Sequence, residues 1–187
     1  MTIITPKSMK KYFISILVST VFFSCVSVAF TDPQPSDVKN LTSFPSSFQG
    51  TFYSNENDTF RIGATFYKVI NTNDQSFFNG EEQKEVPLSD SLLLRKYGNL
   101  YCLNVKEDEN WSVCVLKQLK DKSISVGFLT GSSEELTKKL DFIQNKKIIR
   151  DEEGKVDKFI LTPTKKEFKL LIKKKYFEKS LVLKKIN

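Results

Sequence analysis

From Phe48 to Leu129 the chain alternates apolar and polar residues in short runs broken by turn-forming clusters, a texture that restricts it to short β-strands. The breaks are Asn55–Asp58, Gly98-Asn99, Glu107–Glu109 and Asp121-Lys122. Between them lie Phe48–Tyr53, Thr59–Ile62, Thr65–Ile70, Leu92–Tyr97, Leu100–Val105, Trp111–Val115 and Ser123–Leu129. Gly63-Ala64 permits a bend, Asn71–Gly80 reads as a polar loop around Phe77-Phe78, and Pro87 makes Lys84–Leu88 an edge. Capped helical patterns follow. Ser132 with Glu135 precedes Leu136, Leu140 and Ile143 at helical spacing. Pro163, Thr164 and Glu167 open a second helix, with Pro163 at its first position and Phe168, Leu171, Ile172, Lys175 and Tyr176 on one stripe. Lys147–Ile149 and Val156–Leu161 flank Gly154 as a hairpin, and Leu181–Ile186 closes as a terminal strand. The predicted class is α+β, mainly antiparallel β: a meander sheet or half-barrel of seven or more short strands, with two helices late in the chain.

Ahead of this domain, Lys7, Lys10 and Lys11 precede Tyr12–Phe30, nineteen residues without a charge. Three readings of the segment stand. One is a signal peptide cleaved after Ala29, with Ser27-Val28-Ala29 as the small-residue site. Another is a lipoprotein signal, in which Ser24 precedes a lipidated Cys25 that becomes the new N-terminus. The third is an uncleaved anchor, since about 18 apolar residues can span a bilayer. All three export the folded part, because the positive flank stays inside. The expected organisation is a signal peptide over 1–24 (extending to 29 under ordinary cleavage), a Pro/Ser-rich tether over 25–47, and one β-rich domain over 48–187 with a basic helical C-terminal part. Thr31–Ser47 holds three of the six prolines, which supports the tether.

The three cysteines are Cys25, Cys102 and Cys114. A hairpin turning at Asp108 sets Cys102 opposite Cys114, on the face away from Tyr101, Leu103, Val105, Trp111, Val113 and Val115. An oxidising compartment would allow a Cys102–Cys114 disulfide, leaving Cys25 for lipid attachment. The alternative is two free thiols, because a one-residue slip separates the pair.

Phe22-Phe23-Ser24-Cys25 resembles a bacterial lipobox, departing from it in the aromatic Phe22. Gly50-Thr51-Phe52 resembles the Gly-x-Trp strand that opens lipocalins, and the ensuing meander looks like a small lipocalin-like lipoprotein domain. Residues 88–106, 110–120 and 161–174 are similar to small exported proteins of Gram-negative bacteria that have no assigned activity. The resemblance implies an envelope location and a β-rich fold, and it transfers no catalytic residue.

The chain has no histidine, which removes Ser-His-Asp and Cys-His catalysis, His-ligated zinc and His proton shuttles. There is no Cys-x-x-Cys, Gly-rich phosphate loop or Gly-x-Ser-x-Gly. Asn55, Asn57 and Asp58 offer oxygens, but their spacing matches no EF-hand loop, so no metal is expected. No cofactor and no catalytic residue is assigned. Glu107–Glu109 and Asp151–Glu153 are dense enough for a carboxylate pair yet read better as polar turns. Residues 145–187 hold fourteen Lys or Arg against six Asp or Glu, whereas residues 25–144 hold twelve against sixteen. Lys165, Lys166, Lys169, Lys173 and Lys174 surround the second helix's apolar stripe as a solvated face, or as a second membrane signal.

The sequence therefore points to an exported, membrane-tethered β module that binds a partner protein or small apolar ligand without catalysis. The alternative is a small carboxylate-dependent envelope enzyme. The expected location is the cell envelope, membrane-attached through a lipid or the apolar segment, with a soluble periplasmic or secreted form as the alternative. Nucleic acid is not an expected partner. A closed pocket lined by Phe52, Phe60, Phe66 and Trp111 would mark ligand binding, and two converging carboxylates would mark the enzyme.

Overall fold

The computed structural model describes residues 26–56, 58–71 and 85–186. In chain order, β1 is Ser27–Phe30, β2 Asn40–Leu41, β3 Gly50–Ser54, β4 Thr59–Ile62, β5 Phe66–Asn71 and β6 Glu85–Pro87. Next come β7 Leu92–Tyr97, β8 Leu100–Glu107, β9 Asn110–Gln118 and β10 Ile124–Phe128. The C-terminal part contains α1 Ser133–Lys139, β11 Lys146–Arg150, β12 Val156–Leu161, α2 Lys165–Lys173 and β13 Glu178–Lys185. Every pairing is antiparallel among the described residues except that of β1 with β12.

The sequence alternation produces two meanders, β3–β6 and β7–β10, and the last strand joins them. β13 lies between β10 and β3, pairing Leu183 with Ile124 on one side and with Ser54 on the other. The sheet thereby curls into a half-barrel, from β2 and β7 at one end to β6 at the other. Leu41–Phe48 crosses the open side, where the Phe44 N–H donates to Ala64 O at 2.7 Å. β9 is a branch point. One edge pairs with β8, and the other is shared between β10, along Cys114–Gln118, and β1, at Trp111.

Two cores form on either side of β9. Inside the half-barrel, Phe44, Phe48, Phe52, Phe60, Leu94, Ile124, Val126 and Leu183 interlock, and Phe48 stacks edge-on against Tyr101 at 5.0 Å. On the convex side, Trp111, Val113 and Val115 are covered by Leu136, Leu140, Phe159, Leu161, Phe168 and Leu171. Each fully buried side chain of this size contributes roughly 1.5–3 kcal/mol. The helices are placed by their caps. Ser132 Oγ accepts from the Glu135 N–H at α1, and Thr164 with Glu167 completes a capping box at α2. Pro163, expected as the first helical residue, stands just before this cap, two positions ahead of Lys165 where the helix begins.

Of the expected tether over 25–47, residues 26–47 pack against the sheet rather than standing off it, so the folded part extends ahead of residue 48. Val26, Ala29 and Phe30 are buried, and β1 pairs residue by residue with Lys158–Leu161 of β12. An uncharged apolar run suits a membrane signal, but it suits equally a strand covered on both faces. The polar stretch after β1 is held by two side chains of the sheet. Asn104, fully buried, accepts from the Gln34 N–H at 2.6 Å and donates to Gln34 O at 3.0 Å. Arg95 donates to the carbonyls of Pro33 and Pro35 and to Asn40 Oδ1. Proline-rich backbone that would otherwise be solvated thus finds its partners inside the protein.

Candidate functional site

The cysteine pair does not form a bridge. Leu103 pairs with Cys114 and Cys102 with Val115, one residue away from the expected register. The cause is the turn: Asp108 adopts φ 54°, so Asp108-Glu109 closes a two-residue loop between Glu107 and Asn110 rather than a three-residue one. Cys102 therefore faces the convex core and Cys114 the concave one, and both are free thiols. Burial pushes both thiols up to about 12, so they are protonated and inert as nucleophiles. Cys25 lies outside the described residues.

The same slip splits the aromatic set expected to line one pocket. Phe52 and Phe60 fill the half-barrel, whereas Trp111 is on the opposite side of the sheet. Phe66 turns its ring over Gly63, in the space a Cβ there would occupy. Tyr67 reaches inward instead. Burial raises its phenol to about 12, with neighbouring Cys114 adding to the shift.

The acidic clusters are separated. The Glu107–Asn110 turn lies beyond the Phe30 end of β1, while Asp151–Glu153 sits at the hairpin beside the Ser27 end. Asp151 Oδ1 accepts the N–H groups of Glu153 and Lys155, and Glu153 pairs with Lys155, as a turn requires. Of the oxygens considered for a cation, Asn55 Oδ1 accepts from the Val182 N–H at 2.7 Å, Asp58 is buried, and Asn57 lies outside the described residues. The lysines of α2 are exposed, with Lys165 paired to Asp37 and Lys174 over the rings of Phe142 and Tyr176 at 4.9 and 5.6 Å.

What the structure does assemble is a groove of about 610 Å³ on the convex face, where α2 ends over the sheet. It exists because β10 alternates large residues inward, Ile124 and Val126, with small ones outward, Ser125 and Gly127. That leaves a trough along β10. Leu100, Val115 and Lys117 border it from the sheet, Asn99 stands at the β7–β8 turn, and Ile172, Lys175 and Phe177 border it from the end of α2. α2 stops there in a tight C-terminal motif: the Lys175 N–H donates to Ile172 O at 3.0 Å and the Tyr176 N–H to Leu171 O at 3.1 Å. Lys175 occupies the left-handed position of that motif, at φ 56°.

Sequence reasoning placed Lys175 on the apolar stripe and missed the groove. Its signal was present in the Ser-Val-Gly spacing of β10, where small residues fall on the face opposite the core. The partner that turns a bare strand into a groove comes from about fifty residues further on, and local patterning does not reveal it.

No family model, curated protein or solved structure matches this chain.

Proposed function

We propose that this chain is an exported, membrane-attached β module that binds without catalysis, and that the convex-face groove is its binding site. The groove is the observation that carries the reading. Its volume of about 610 Å³ suits a small molecule, since ligand sites span roughly 300–1,000 Å³. Leu100, Val115, Ile172 and Phe177 give it apolar walls, and Asn99 and Ser125 add polar atoms. A small apolar ligand fits this trough better than a protein partner does. The exposed large hydrophobics Tyr53, Ile148, Leu170 and Ile186 lie on four separate elements or chain ends rather than in a flat patch.

Export is read from the lysines and the uncharged run, and attachment is assigned to Cys25. Support comes from the residues that follow Cys25. Val26 is buried, and its N–H donates to Gly131 O at 3.3 Å. A chain starting at Cys25 keeps every described strand, whereas one starting at Phe30 loses the pairing of Ser27–Ala29 with Lys158–Ile160. Acyl chains on Cys25 would hold the domain directly against the bilayer, with no spacer between. A soluble periplasmic form is the alternative location.

Photolabelling of the full-length protein with a long-chain alcohol bearing a diazirine tests the binding half. Label is expected on peptides carrying Leu100 and Phe177, and Ser125→Trp, which fills the trough, is expected to strip it. Even labelling over the surface, or unchanged labelling of the Ser125→Trp protein, would contradict the reading.

A further inference from the structure

We infer that the groove selects a long-chain carboxylate, a single-chain amphiphile with one negative head, an inference that rests on the groove being a ligand site. Two lysines border the groove, Lys117 on β9 and Lys175 after α2, and among the described lining residues none is Asp or Glu. Among the described residues neither lysine forms an ion pair, in contrast to Lys138, Lys139, Lys155 and Lys165. An anion arriving here therefore displaces no ion-pair partner among the described residues.

The register gives the head group a seat. Ser125 pairs directly with Lys117 across β9 and β10, both on the outward face. Directly opposed residues place their side chains roughly 4.5–5.5 Å apart at Cβ. A hydroxyl donor thus stands beside an ammonium, the combination that satisfies two carboxylate oxygens through charge-assisted bonds. Apolar walls then run along the trough to receive the alkyl chain. The Ser125–Lys117 seat offers two donor groups, matching the two oxygens of a singly charged carboxylate rather than the three oxygens and higher charge of a phosphate monoester, which is why the assignment is to a carboxylate.

Lys175 adds an independent observation. Its φ of 56° belongs to the position where helices most often end on glycine. A side chain there is disfavoured by the backbone, and this one is a cation bordering the groove. Asp108 and Lys122 are the other non-glycine residues at positive φ among the described residues, and neither borders the groove.

The test compares diazirine-bearing long-chain acid and alcohol of equal length on the full chain. The acid is expected to label the Leu100 and Phe177 peptides at roughly two- to tenfold lower concentration, the effect of two partly exposed charge contacts. The double variant Lys117→Glu/Lys175→Glu should abolish that preference while melting as a folded protein. Lys175→Gly should weaken it while melting higher than the parent. Equal labelling by acid and alcohol would overturn the charge assignment and leave the groove reading standing. Absence of label from those peptides with both probes would overturn both. An alkyl phosphate that displaces the acid more strongly than unlabelled acid does would overturn the carboxylate head.

Discussion

Strand β9 separates two apolar cores that draw on different parts of the chain. On its concave side, Cys114 and Leu116 meet Phe52, Phe60, Ile124 and Leu183, which lie on strands of the half-barrel. On its convex side, Trp111, Val113 and Val115 meet Val26 and Phe30 from the start of the described chain, with Leu136, Phe159 and Phe168 from its last third. The concave core is a cluster of buried aromatic and aliphatic side chains. The convex one ends where α2 stops, and the groove lies at that margin. One sheet thus has a face enclosing the half-barrel core and a face on which sequence-distant elements leave a groove. Binding sites commonly fall at such margins between elements.

The largest expected effect comes from removing β1. A chain starting at Phe30 should lose several kcal/mol and its cooperative melting transition, whereas one starting at Cys25 should keep both; single domains have only about 5–15 kcal/mol to lose. Urea unfolding of the two chains checks this. Cooperative melting of the shorter chain would show that the convex core does not depend on β1.

Next come matched truncations in the two cores. Phe52→Ala and Phe168→Ala should each cost about 3–5 kcal/mol. Hydrogen exchange should distinguish them. Phe168→Ala should open α1, α2 and β12 while the half-barrel stays protected, and Phe52→Ala should lower protection everywhere. Identical exchange patterns would make the two cores one cooperative unit.

Acid should weaken the convex side first. Burial of Glu167 acts to raise its carboxyl, but the N–H groups of Gln144 and Thr164 and the Thr164 hydroxyl outweigh it, leaving the group below its usual 4.5. A carboxyl depressed on folding stabilises above its unfolded value, and that stability fades as pH falls through the folded one. Stability should therefore decline below about pH 4.5, and Glu167→Gln should flatten the decline. A variant with an unchanged acid limb would remove Glu167 from the account.

The smallest effect has the opposite sign. Lys175→Gly relieves a left-handed residue and should stabilise by about 1 kcal/mol, or roughly 2–4 °C in melting temperature at this chain length. A lower melting temperature would mean that the Lys175 side chain itself stabilises the end of α2.

The concave core was largely legible because period-two alternation directly reports which residues face inward, as Phe52, Phe60, Leu92 and Leu94 do. The β7–β8 hairpin followed from Gly98-Asn99, and Gly98 takes φ 60° there. The β8–β9 register did not follow, because three acidic residues in a row do not disclose that Asp108 turns left-handed and shortens the loop by one residue. That single slip put Cys114 and Trp111 on the wrong faces and so separated the cysteine pair. β1 was hidden by ambiguity, since Val26–Phe30 has the composition of a membrane signal and of a strand buried on both sides. β13 was recognised as a strand, but its insertion between β10 and β3 is a long-range pairing that local pattern does not encode. The groove inherits that difficulty, with its floor on β10 and one wall at the end of α2.

The most direct test is the intact mass and N-terminal residue of the protein extracted from membranes of cells that make the full chain. The account predicts a mature chain that begins at Cys25, carries acyl mass there and retains β1. A soluble chain beginning at Phe30, or an uncleaved chain without acyl mass, would contradict it.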